Sequence, residues 1–448
     1  MAHNRHLQVG DWKLMGHLLD PSQDRLLVQL EARNSLWVNV IIEDISARSS
    51  SADGVDEGNV AGNRDWRAEL RDWFLGHDDD DGQSAALEDQ AGARILRALL
   101  KSCRERYQTA LPQFGSTLFL SSIDANGHPC IVERPDPFIV DALPSARALF
   151  DEHAVAPPTI PRSELRVLAI DGTFFLPQTR PVSHGGKTFV AKGPASAARV
   201  IDDLREAVNL CSLPADPPYP HLLPPPAALV SLSRDDRICG FLIALYENGN
   251  LDAYARKLRC AGELTPDVLR AWFRQLVSAA KFLHDAGTWH GDIKPDNIVV
   301  DSSGGLVLID LASKYTTSSV ASPECMRVAR ERGSLQVPAD WPMEAVEKSE
   351  VYSIGRTMFF VSEGIPMEDI YHNPRDPRAS RTAFTDSSPT PADLRDLILA
   401  CVAEDPEQRP SLRDLASHQR LMPERMVPFA VGVVEERLNR PFYHPARP

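Results

Sequence analysis

Apolar and polar positions in the first 150 residues follow two different periods. The segments "RLLVQLEA" (25–32) and "LWVNVIIEDI" (36–45) are short and apolar with β-branched residues, which is typical of β-strands. "ALEDQAGARILRALLKSCRERY" (86–107) instead repeats its apolar positions at helical spacing. The pattern therefore predicts a small α+β domain over residues 1–153, in which we find no constellation of chemically active side chains.

A proline-rich segment separates this domain from a second set of strands. "AVAPPTIPRSE" is typical of a linker, which we place at 154–164. A helical pattern, "ASAARVIDDLREAVNL" (195–210), lies among the strand-like runs that follow. A β-rich lobe is therefore predicted over about 165–246. Its strand-like runs are "LRVLAIDGTFF" (165–175), "GGKTFVAKG" (185–193, entered through a Gly-Gly turn), "AALVSL" (227–232) and "RICGFLIAL" (237–245).

The pattern then becomes helical. Residues 264–285 place large apolar side chains on one helical stripe, which predicts a helix that faces a core. That stripe consists of Leu269, Trp272, Phe273, Leu276, Ala280 and Leu283. Strands followed by helices indicate two lobes of different class, so we predict a helical lobe over about 247–420 and a C-terminal tail over 421–448.

Composition narrows the classes of partner. The chain has 448 residues, 43% hydrophobic and 25% charged, with a formal net charge of −14. An acidic surface disfavours a nucleic-acid or anionic-membrane partner. The seven cysteines are odd in number and scattered, which favours free thiols in a reducing compartment. The first residues lack the apolar core of a signal peptide, and no apolar run has the length of a membrane span, so we expect a soluble cytoplasmic protein.

The densest chemistry lies in "WHGDIKPDNIVV" (289–300), where polar and charged residues adjoin an apolar, strand-like triplet. "HGDIKPDN" resembles the catalytic loop H-R-D-x-x-x-x-N of eukaryotic-type protein kinases. The resemblance extends over roughly 165–418 and implies an α+β fold with a β-rich N-lobe and a helical C-lobe. By this match Asp292 would accept the proton of an attacking hydroxyl and Asn297 would bind a metal ion. Lys294 resembles the Ser/Thr-kinase form of the loop, in which it contacts the transferred phosphate.

A second metal ligand is expected thirteen residues after Asn297. Asp310, in "GLVLIDLAS", matches the Asp of the D-F-G motif, with Leu311 and Ala312 in place of Phe and Gly. Alone, "LIDLA" would more often be an ordinary strand end. After the catalytic loop at this spacing, it implies a carboxylate that holds Mg²⁺ against the phosphates of ATP.

The resemblance also implies the residues that contact the nucleotide. Lys192 in "TFVAKG" resembles the lysine that meets the α- and β-phosphates, although a lone "VAK" is more often an exposed strand end. Glu206, fourteen residues later, resembles its partner Glu and is preferred over Asp202 and Asp203. "GFLIALYENGNL" resembles the strand and hinge that bind adenine through the backbone, with Ile243 at the back of the pocket. The hinge residues are Ala244 to Tyr246.

Two features further along support the same family. "SPE" (322–324) resembles the A-P-E that ends the activation segment, and Arg409 lies in a D-P-x-x-R-P context. In the family this Glu and Arg pair, so we expect a partly buried Glu324–Arg409 ion pair. "KSEVYSIGRTMFF" (348–360) resembles the start of a C-lobe helix, with Glu350 where Asp is usual.

Several positions depart from the pattern. No G-x-G-x-x-G precedes Lys192; only Gly172 and the Gly185–Gly186 turn are available. Gly291 replaces the Arg of H-R-D, so a phosphorylated activation segment would lack that cation. Only fourteen residues separate Asp310 from Glu324, and 325–347 match no part of the pattern.

We therefore expect an ATP- and Mg²⁺-dependent phosphotransferase that transfers the γ-phosphate to a hydroxyl, of Ser/Thr rather than Tyr type. Its partners would be ATP and either a protein substrate or a small-molecule hydroxyl acceptor. The alternatives are a pseudokinase that serves as a scaffold or binding module, favoured by the degenerate glycine loop, and a kinase-fold enzyme that acts on a metabolite, which the short activation segment permits.

Overall fold

The structure is a computed structural model in which the chain divides into two compact units. One unit comprises Met1–Cys211 and Pro226–Leu245, and the other comprises Ser212–Pro225 and Tyr246–Pro448. The residues that the structure describes are 8–9, 12–20, 25–32, 36–43, 66–67, 70, 91–107, 112–124, 126–150, 155–169, 178–194, 196–214, 219–232, 236–311, 315–338, 340–372, 382–386 and 388–418. The predicted tail over 421–448 lies outside these residues, as do residues 170–175 of the predicted strand 165–175.

The first unit begins with a six-stranded sheet in the order β1-β2-β3-β4-β5-β6, parallel only between β4 and β5. Its core alternates along β3, where Leu26, Val28 and Leu30 are buried together with Leu96 and Leu99 of α1. The predicted α+β class of this region is confirmed. The elements are β1 (Gln8–Val9), β2 (Trp12–Asp20), β3 (Arg25–Ala32), β4 (Leu36–Glu43), α1 (Ala91–Arg106), β5 (Thr117–Ile123), β6 (Pro129–Arg134), α2 (Pro137–Ala142) and α3 (Ala146–Leu149).

The second sheet of this unit has the order β7-β11-β12-β10-β9-β8 and contains the predicted strands. Gly185 and Gly186 join β9 to β10 with φ values of 56° and 77°. Two consecutive positive φ values match the right-handed twist of a two-residue hairpin, so the predicted Gly-Gly turn is confirmed. The elements are β7 (Thr159–Pro161), β8 (Arg166–Val167), β9 (Thr179–His184), β10 (Lys187–Lys192), α4 (Val200–Ser212), β11 (Ala228–Ser231) and β12 (Ile238–Ala244).

The segment predicted as a linker contributes a strand to this sheet. β7 pairs in parallel with β11, with Thr159 opposite Leu229, and Leu229 donates its N–H to Pro158 O at 2.8 Å. Proline residues lack the N–H that a central strand must donate, so they are confined to edge strands such as β7. The linker interpretation missed this pairing because the proline pattern of an edge strand and that of a linker are alike.

The second unit is mainly helical, with one hairpin. Its longest predicted helix, α6, is capped by Thr265, whose hydroxyl accepts the N–H of Val268, and the six residues of its predicted stripe are all buried. The helical class of this lobe is therefore confirmed. The elements are α5 (Leu251–Ala261), α6 (Pro266–Asp285), β13 (Ile298–Val300), β14 (Leu306–Leu308), α7 (Pro323–Arg332), α8 (Met343–Glu363), α9 (Met367–His372), α10 (Ala392–Cys401) and α11 (Leu412–Ser417).

The stretch 325–347, which matched no part of the family pattern, lies mostly in two helices, α7 and α8. Ser322 caps α7 by accepting the N–H of Cys325, and α8 begins at Met343 rather than at the predicted 348. Pro342, at the N-cap of α8, lacks an N–H and so limits the helix on that side. Four buried side chains join the segment into one cluster: Ala321, Cys325, Val337 and Val346.

The state of the cysteines and the absence of membrane-spanning helices were also predicted from the sequence. The seven cysteines are free thiols, as their number and spacing indicated. Among the residues that the structure describes, none of the helices combines the length and apolar composition that a membrane span requires.

Candidate active site

The catalytic loop follows α6 and precedes β13, and its central side chain is Asp292. One carboxylate oxygen, Oδ1, accepts the N–H of Thr317 at 2.7 Å. The other, Oδ2, accepts Lys294 Nζ at 2.9 Å, Asn297 Nδ2 at 3.1 Å and Thr317 Oγ1 at 3.2 Å. Such a carboxylate is fixed in orientation, and donors that stabilise its charge surround it. The structure thus brings together three of the residues that the catalytic motif predicted.

Glu350 holds the backbone of this loop from α8. Its Oε1 accepts the N–H groups of His290 and Gly291, both at 2.7 Å, and its Oε2 contacts His284 Nε2 at 2.7 Å. Gly291 has a φ of 89°, a conformation that strains any residue with a Cβ. The usual Arg is therefore replaced by the residue that adopts this turn most readily, and a buried carboxylate fixes the turn in place.

The pKa values of this pair shift in opposite directions. Burial by itself lowers the pKa of His284, but the hydrogen bond and charge of Glu350 outweigh burial, so the pKa lies above its ordinary 6.5. For Glu350, burial raises the pKa, but the bonds from His284 and Gly291 hold it below its ordinary 4.5. The charged form of each group is therefore favoured by the other.

His290 links the loop to the segment that follows β14 and carries Asp310. Its Nδ1 accepts the N–H of Asp292 at 3.1 Å, so Nε2 carries the proton and donates to Ile309 O at 2.7 Å. Ile309 in turn donates its N–H to Asn297 O at 2.9 Å. Asp310, the next residue, follows the hairpin of β13 and β14.

Thr317 is a site residue that sequence reasoning did not predict. Its hydroxyl accepts Lys294 Nζ at 2.8 Å and donates to Asp292 Oδ2, so it bridges the two side chains. In the sequence it is one of four successive hydroxyl residues, 316–319, that could carry a phosphate. No local signal separates it from Thr316, because the bridge depends on how the chain returns from Asp310 to the loop.

Asn297 and Asp310 fit a magnesium ion by the chemistry of their oxygen donors. Asn297 Nδ2 donates to both Asp292 O (2.9 Å) and Asp292 Oδ2. Its Oδ1, the atom that a metal would need, accepts no hydrogen bond within the described part of the chain. Asp310 has a φ of 69°, which is uncommon for a non-glycine residue and often marks a functional position. An amide oxygen and a carboxylate are both ligands that Mg²⁺ prefers.

Lys192 and Glu206 form the predicted ion pair in the first unit. Lys192 is the last residue of β10, and its Nζ lies 2.5 Å from Glu206 Oε2 of α4. The Glu206 side chain is 0% exposed. The two competing carboxylates have other partners: Asp203 contacts Arg199 and Asp202 contacts Arg205. The choice of Glu206 by its spacing is confirmed as a contact.

The predicted hinge lies where the chain passes from one unit to the other. Ile243, near the end of β12, is 8% exposed, and Ala244, the last residue of the strand, is exposed. The boundary between the units falls between Leu245 and Tyr246. Burial raises the pKa of the Tyr246 hydroxyl, and Tyr246 O accepts the N–H of Gly249 at 3.0 Å. Adenine binding by Ala244 and Tyr246 stays a prediction.

The predicted ion pair between Glu324 and Arg409 is confirmed. Arg409 donates to Glu324 through Nη1 (2.6 Å) and Nη2 (2.9 Å), and the Arg409 side chain is 0% exposed. The guanidinium also donates to the carbonyls of Ala403, Lys348 and Glu404. Burial raises the pKa of Glu324, but Arg409 outweighs this and holds it below its usual value. This ion pair is the one expected from placing the end of the activation segment at Glu324.

Comparison with known proteins agrees with this geometry. The family model "Protein kinase domain" matches residues 229–421. The matched segment contains the catalytic loop, and this part of the chain is similar to a protein kinase domain. Lys192 and Glu206 precede the matched segment.

Similar proteins with kinase names cover only part of the chain. Sperm motility kinase 3A of Mus musculus is 29% identical over 166 residues, which are 36% of this chain and 32% of that protein. A probable serine/threonine-protein kinase CHK1 homolog of Encephalitozoon cuniculi is 33% identical over 115 residues, 25% of this chain and 27% of that protein. The ovarian-specific serine/threonine-protein kinase Lok of Drosophila melanogaster is 27% identical over 161 residues, 34% of each. The chain thus spans about a third of the length of these relatives, or less.

Proposed function

We propose that this chain is an ATP- and Mg²⁺-dependent phosphotransferase of the Ser/Thr protein kinase type, which transfers the γ-phosphate of ATP to a hydroxyl. The observation that carries the proposal is the environment of Asp292. Its carboxylate is held by Lys294, Asn297 and Thr317 in an orientation suited to accept the proton of a nucleophile. Phosphoryl transfer needs positioning and charge stabilisation more than covalent chemistry, and these contacts supply both.

The other proposed roles follow from charge and position. Lys294, beside Asp292, would meet the transferred phosphate, and Lys192 would meet the α- and β-phosphates while Glu206 orients it. Asn297 and Asp310 would hold Mg²⁺, which supplies positive charge to the phosphate oxygens when bound. The backbone of Ala244 to Tyr246 would bind adenine.

The acceptor is proposed from the relatives and from Lys294. The similar proteins include two named serine/threonine-protein kinases. A protein hydroxyl is therefore the proposed acceptor, and a small-molecule hydroxyl is the alternative outcome of an acceptor screen.

The test is transfer of labelled γ-phosphate from ATP with Mg²⁺ to the protein itself and to generic protein substrates. Asp292→Asn should reduce the rate by about 10²–10⁴-fold, the usual contribution of a general base. Asp267→Asn is the matched control, because the Asp267 side chain is 93% exposed and lies outside the proposed site. Equal rates for both variants and the unsubstituted protein would refute the role of Asp292.

A second candidate, a nucleotide-binding module without transfer, is favoured by one observation. The family match starts at residue 229, after Lys192 and Glu206. The two residues that would meet the nucleotide phosphates in the first unit therefore lie outside the segment that resembles a protein kinase domain. Mg·ATP binding without detectable transfer to any acceptor would support this candidate.

A further inference from the structure

Two glycines in the second sheet of the first unit leave room for one aromatic ring. Gly193 follows Lys192 at the end of β10, and Gly240 lies in β12 beside Phe241, the residue paired with Lys192. A Cβ on Gly240 would lie 2.5 Å from Lys192 O and 2.6 Å from Phe114 Cζ. A Cβ on Gly193 would lie 3.1 Å from Phe114 Cζ. Glycine inside strands often marks the close approach of another group. Here the approaching groups are the Phe114 ring and one backbone carbonyl at each glycine, Cys239 O beside Gly193 and Lys192 O beside Gly240.

Phe114 belongs to the N-terminal region and is held there by its own contacts. It lies in a turn, residues 113–116, in which Ser116 donates its N–H to Gln113 O at 3.0 Å. Gln113 N–H donates to Glu133 Oε1 at 2.7 Å, and Tyr107 OH donates to Glu133 Oε2 at 3.1 Å. The turn is therefore bonded to Glu133 of β6, whose carboxylate is also held by Tyr107, and Phe114 is 3% exposed.

The same turn has a second attachment, to Arg162, which directly follows β7 of the second sheet. Arg162 donates through Nη1 to Ser116 Oγ at 3.0 Å, and Gln113 Nε2 donates to Arg162 O at 3.3 Å. A Cβ on Gly115 would lie 3.6 Å from Cys239 Sγ, so the turn packs beside β12. Both the ring and its flanking residues thus contact the end of the sheet at which Lys192 lies.

The consequence for Lys192 follows from the absence of side chains at the two glycines. If the Phe114 ring were removed, Gly193 and Gly240 would have no side chains with which to fill the space. Glycine backbone is also the most permissive in conformation, so relaxation would fall on the backbone that carries Lys192. Even a displacement of about 1 Å in a group that contacts phosphates lowers efficiency strongly.

We propose that Phe114 is a positioning residue for Lys192, through which the N-terminal sheet sets the affinity of the chain for Mg·ATP. The inference rests on the proposed function, in which Lys192 meets the phosphates. It gives residues 112–134 a role that the protein kinase match, which starts at 229, does not include.

The first measurement is the dissociation constant of Mg·ATP for the full chain by calorimetry. Phe114→Ala should raise it by about tenfold, a typical coupling between sites. Phe138→Ala is the matched control: this ring is 45% exposed and contacts Arg25 of the same region, so the constant should not change. An unchanged constant for Phe114→Ala, or an equal rise for Phe138→Ala, would overturn the proposal.

A double-substituted background separates positioning from general loss of structure. In Lys192→Met/Glu206→Gln, which removes both charges of the pair, Phe114→Ala should have no further effect on Mg·ATP affinity. The same fold-change in both backgrounds would mean that Phe114 acts independently of Lys192. If Phe114→Ala does not fold, Phe114→Leu, which retains an apolar side chain of smaller volume, replaces it with a smaller expected rise.

A third measurement does not depend on ATP binding. Gly193 donates its N–H to Gln178 O at 2.9 Å, so its hydrogen exchange reports on the backbone next to Lys192. Without nucleotide, exchange at Gly193 should be faster in Phe114→Ala than in Phe138→Ala; equal exchange would refute the positioning role. If the unsubstituted chain failed to bind Mg·ATP, the proposed function would fail, while this exchange comparison would still decide the role of Phe114.

Discussion

The catalytic loop of the second unit and the lysine strand of the first unit are stabilised in different ways. The loop is held by polar contacts within its own unit: Glu350 binds its backbone, and Thr317 and Asn297 bind the side chain of Asp292. The strand that ends at Lys192 is supported by packing from an additional sheet, through Phe114. The loop retains a recognisable kinase motif, whereas the region around Lys192 lies before the family match. The packing through Phe114 thus supports a region that precedes the family match.

The largest expected effect is at the proposed metal site of the second unit. Asp310→Asn should lower the rate of phosphoryl transfer by on the order of 10³-fold, because the amide lacks the charge that a metal ion requires. Asn tolerates positive φ values, so the backbone of residue 310, at 69°, should not be strained by the change. Single-turnover rates at saturating Mg·ATP check this, with Asp267→Asn as the control. Full activity in a folded Asp310→Asn protein would contradict the assignment.

The next largest effect concerns stability. Arg409→Ala should lower the free energy of unfolding by about 3–5 kcal/mol, because it leaves Glu324 without its buried partner. The matched control is Arg270→Ala, whose pair with Asp393 is about 30% exposed and should contribute at most ~1 kcal/mol. Urea denaturation of both variants gives the comparison. A similar loss of unfolding free energy in both variants would show that the buried Glu324–Arg409 pair stabilises the fold no more than the exposed pair does.

A pH dependence is expected from the pair that holds the catalytic loop. The folded-state pKa of His284 is raised above 6.5 because Glu350 outweighs burial. Its contribution to stability is therefore fully present below pH 6.5 and is lost as the pH rises through the folded-state value. Glu350, whose pKa is lowered from 4.5, contributes above pH 4.5 and loses its contribution as the pH falls. His290, Glu347 and Asp285 interact with the same pair.

Unfolding free energies between pH 5 and 9 test this sign. His284→Asn should flatten the decline above pH 6.5, while the exposed His128, which pairs with Asp124, serves as the site of a control His128→Asn. An undiminished decline in His284→Asn would assign the pH dependence to other groups.

The smallest effect is expected from phosphorylation of the activation segment. Thr316 and Ser319 are 6% and 7% exposed, Thr317 is bound to Asp292 and Lys294, and only Ser318 of this group is exposed. Gly291 also offers no cation for a phosphate. Phosphatase treatment and Ser318→Ala should therefore leave the rate unchanged. A large loss of rate with either change would show that the segment is regulated by phosphate.

Thr317→Ala is expected to lower the transfer rate for another reason, because it removes the hydroxyl that bridges Lys294 and Asp292. Thr317→Ser keeps that hydroxyl and should keep the rate.

Sequence patterns predicted the parts of the site that depend on spacing along the chain. Asp292, Asn297 and Glu206 are defined by fixed intervals within one loop or between one strand and one helix, and the apolar stripe of α6 follows from helical periodicity. Three contacts were not predicted, because each joins segments that are distant in sequence. They are the bridge by Thr317, the bond from His284 to Glu350, and the packing of Phe114 against Gly193 and Gly240. The pairing of β7 was missed for the same reason: an edge strand rich in proline has no pattern of its own until its partner β11 is known.

The most direct test of the central claim measures nucleotide affinity and transfer rate on the same two proteins. Asp292→Asn should bind Mg·ATP as tightly as the unsubstituted chain while its transfer rate falls by about 10²–10⁴-fold. Lys192→Met/Glu206→Gln should instead lose affinity for Mg·ATP. Undiminished transfer by Asp292→Asn, or unchanged nucleotide affinity in the double variant, would contradict the division of roles between the catalytic loop and the lysine strand.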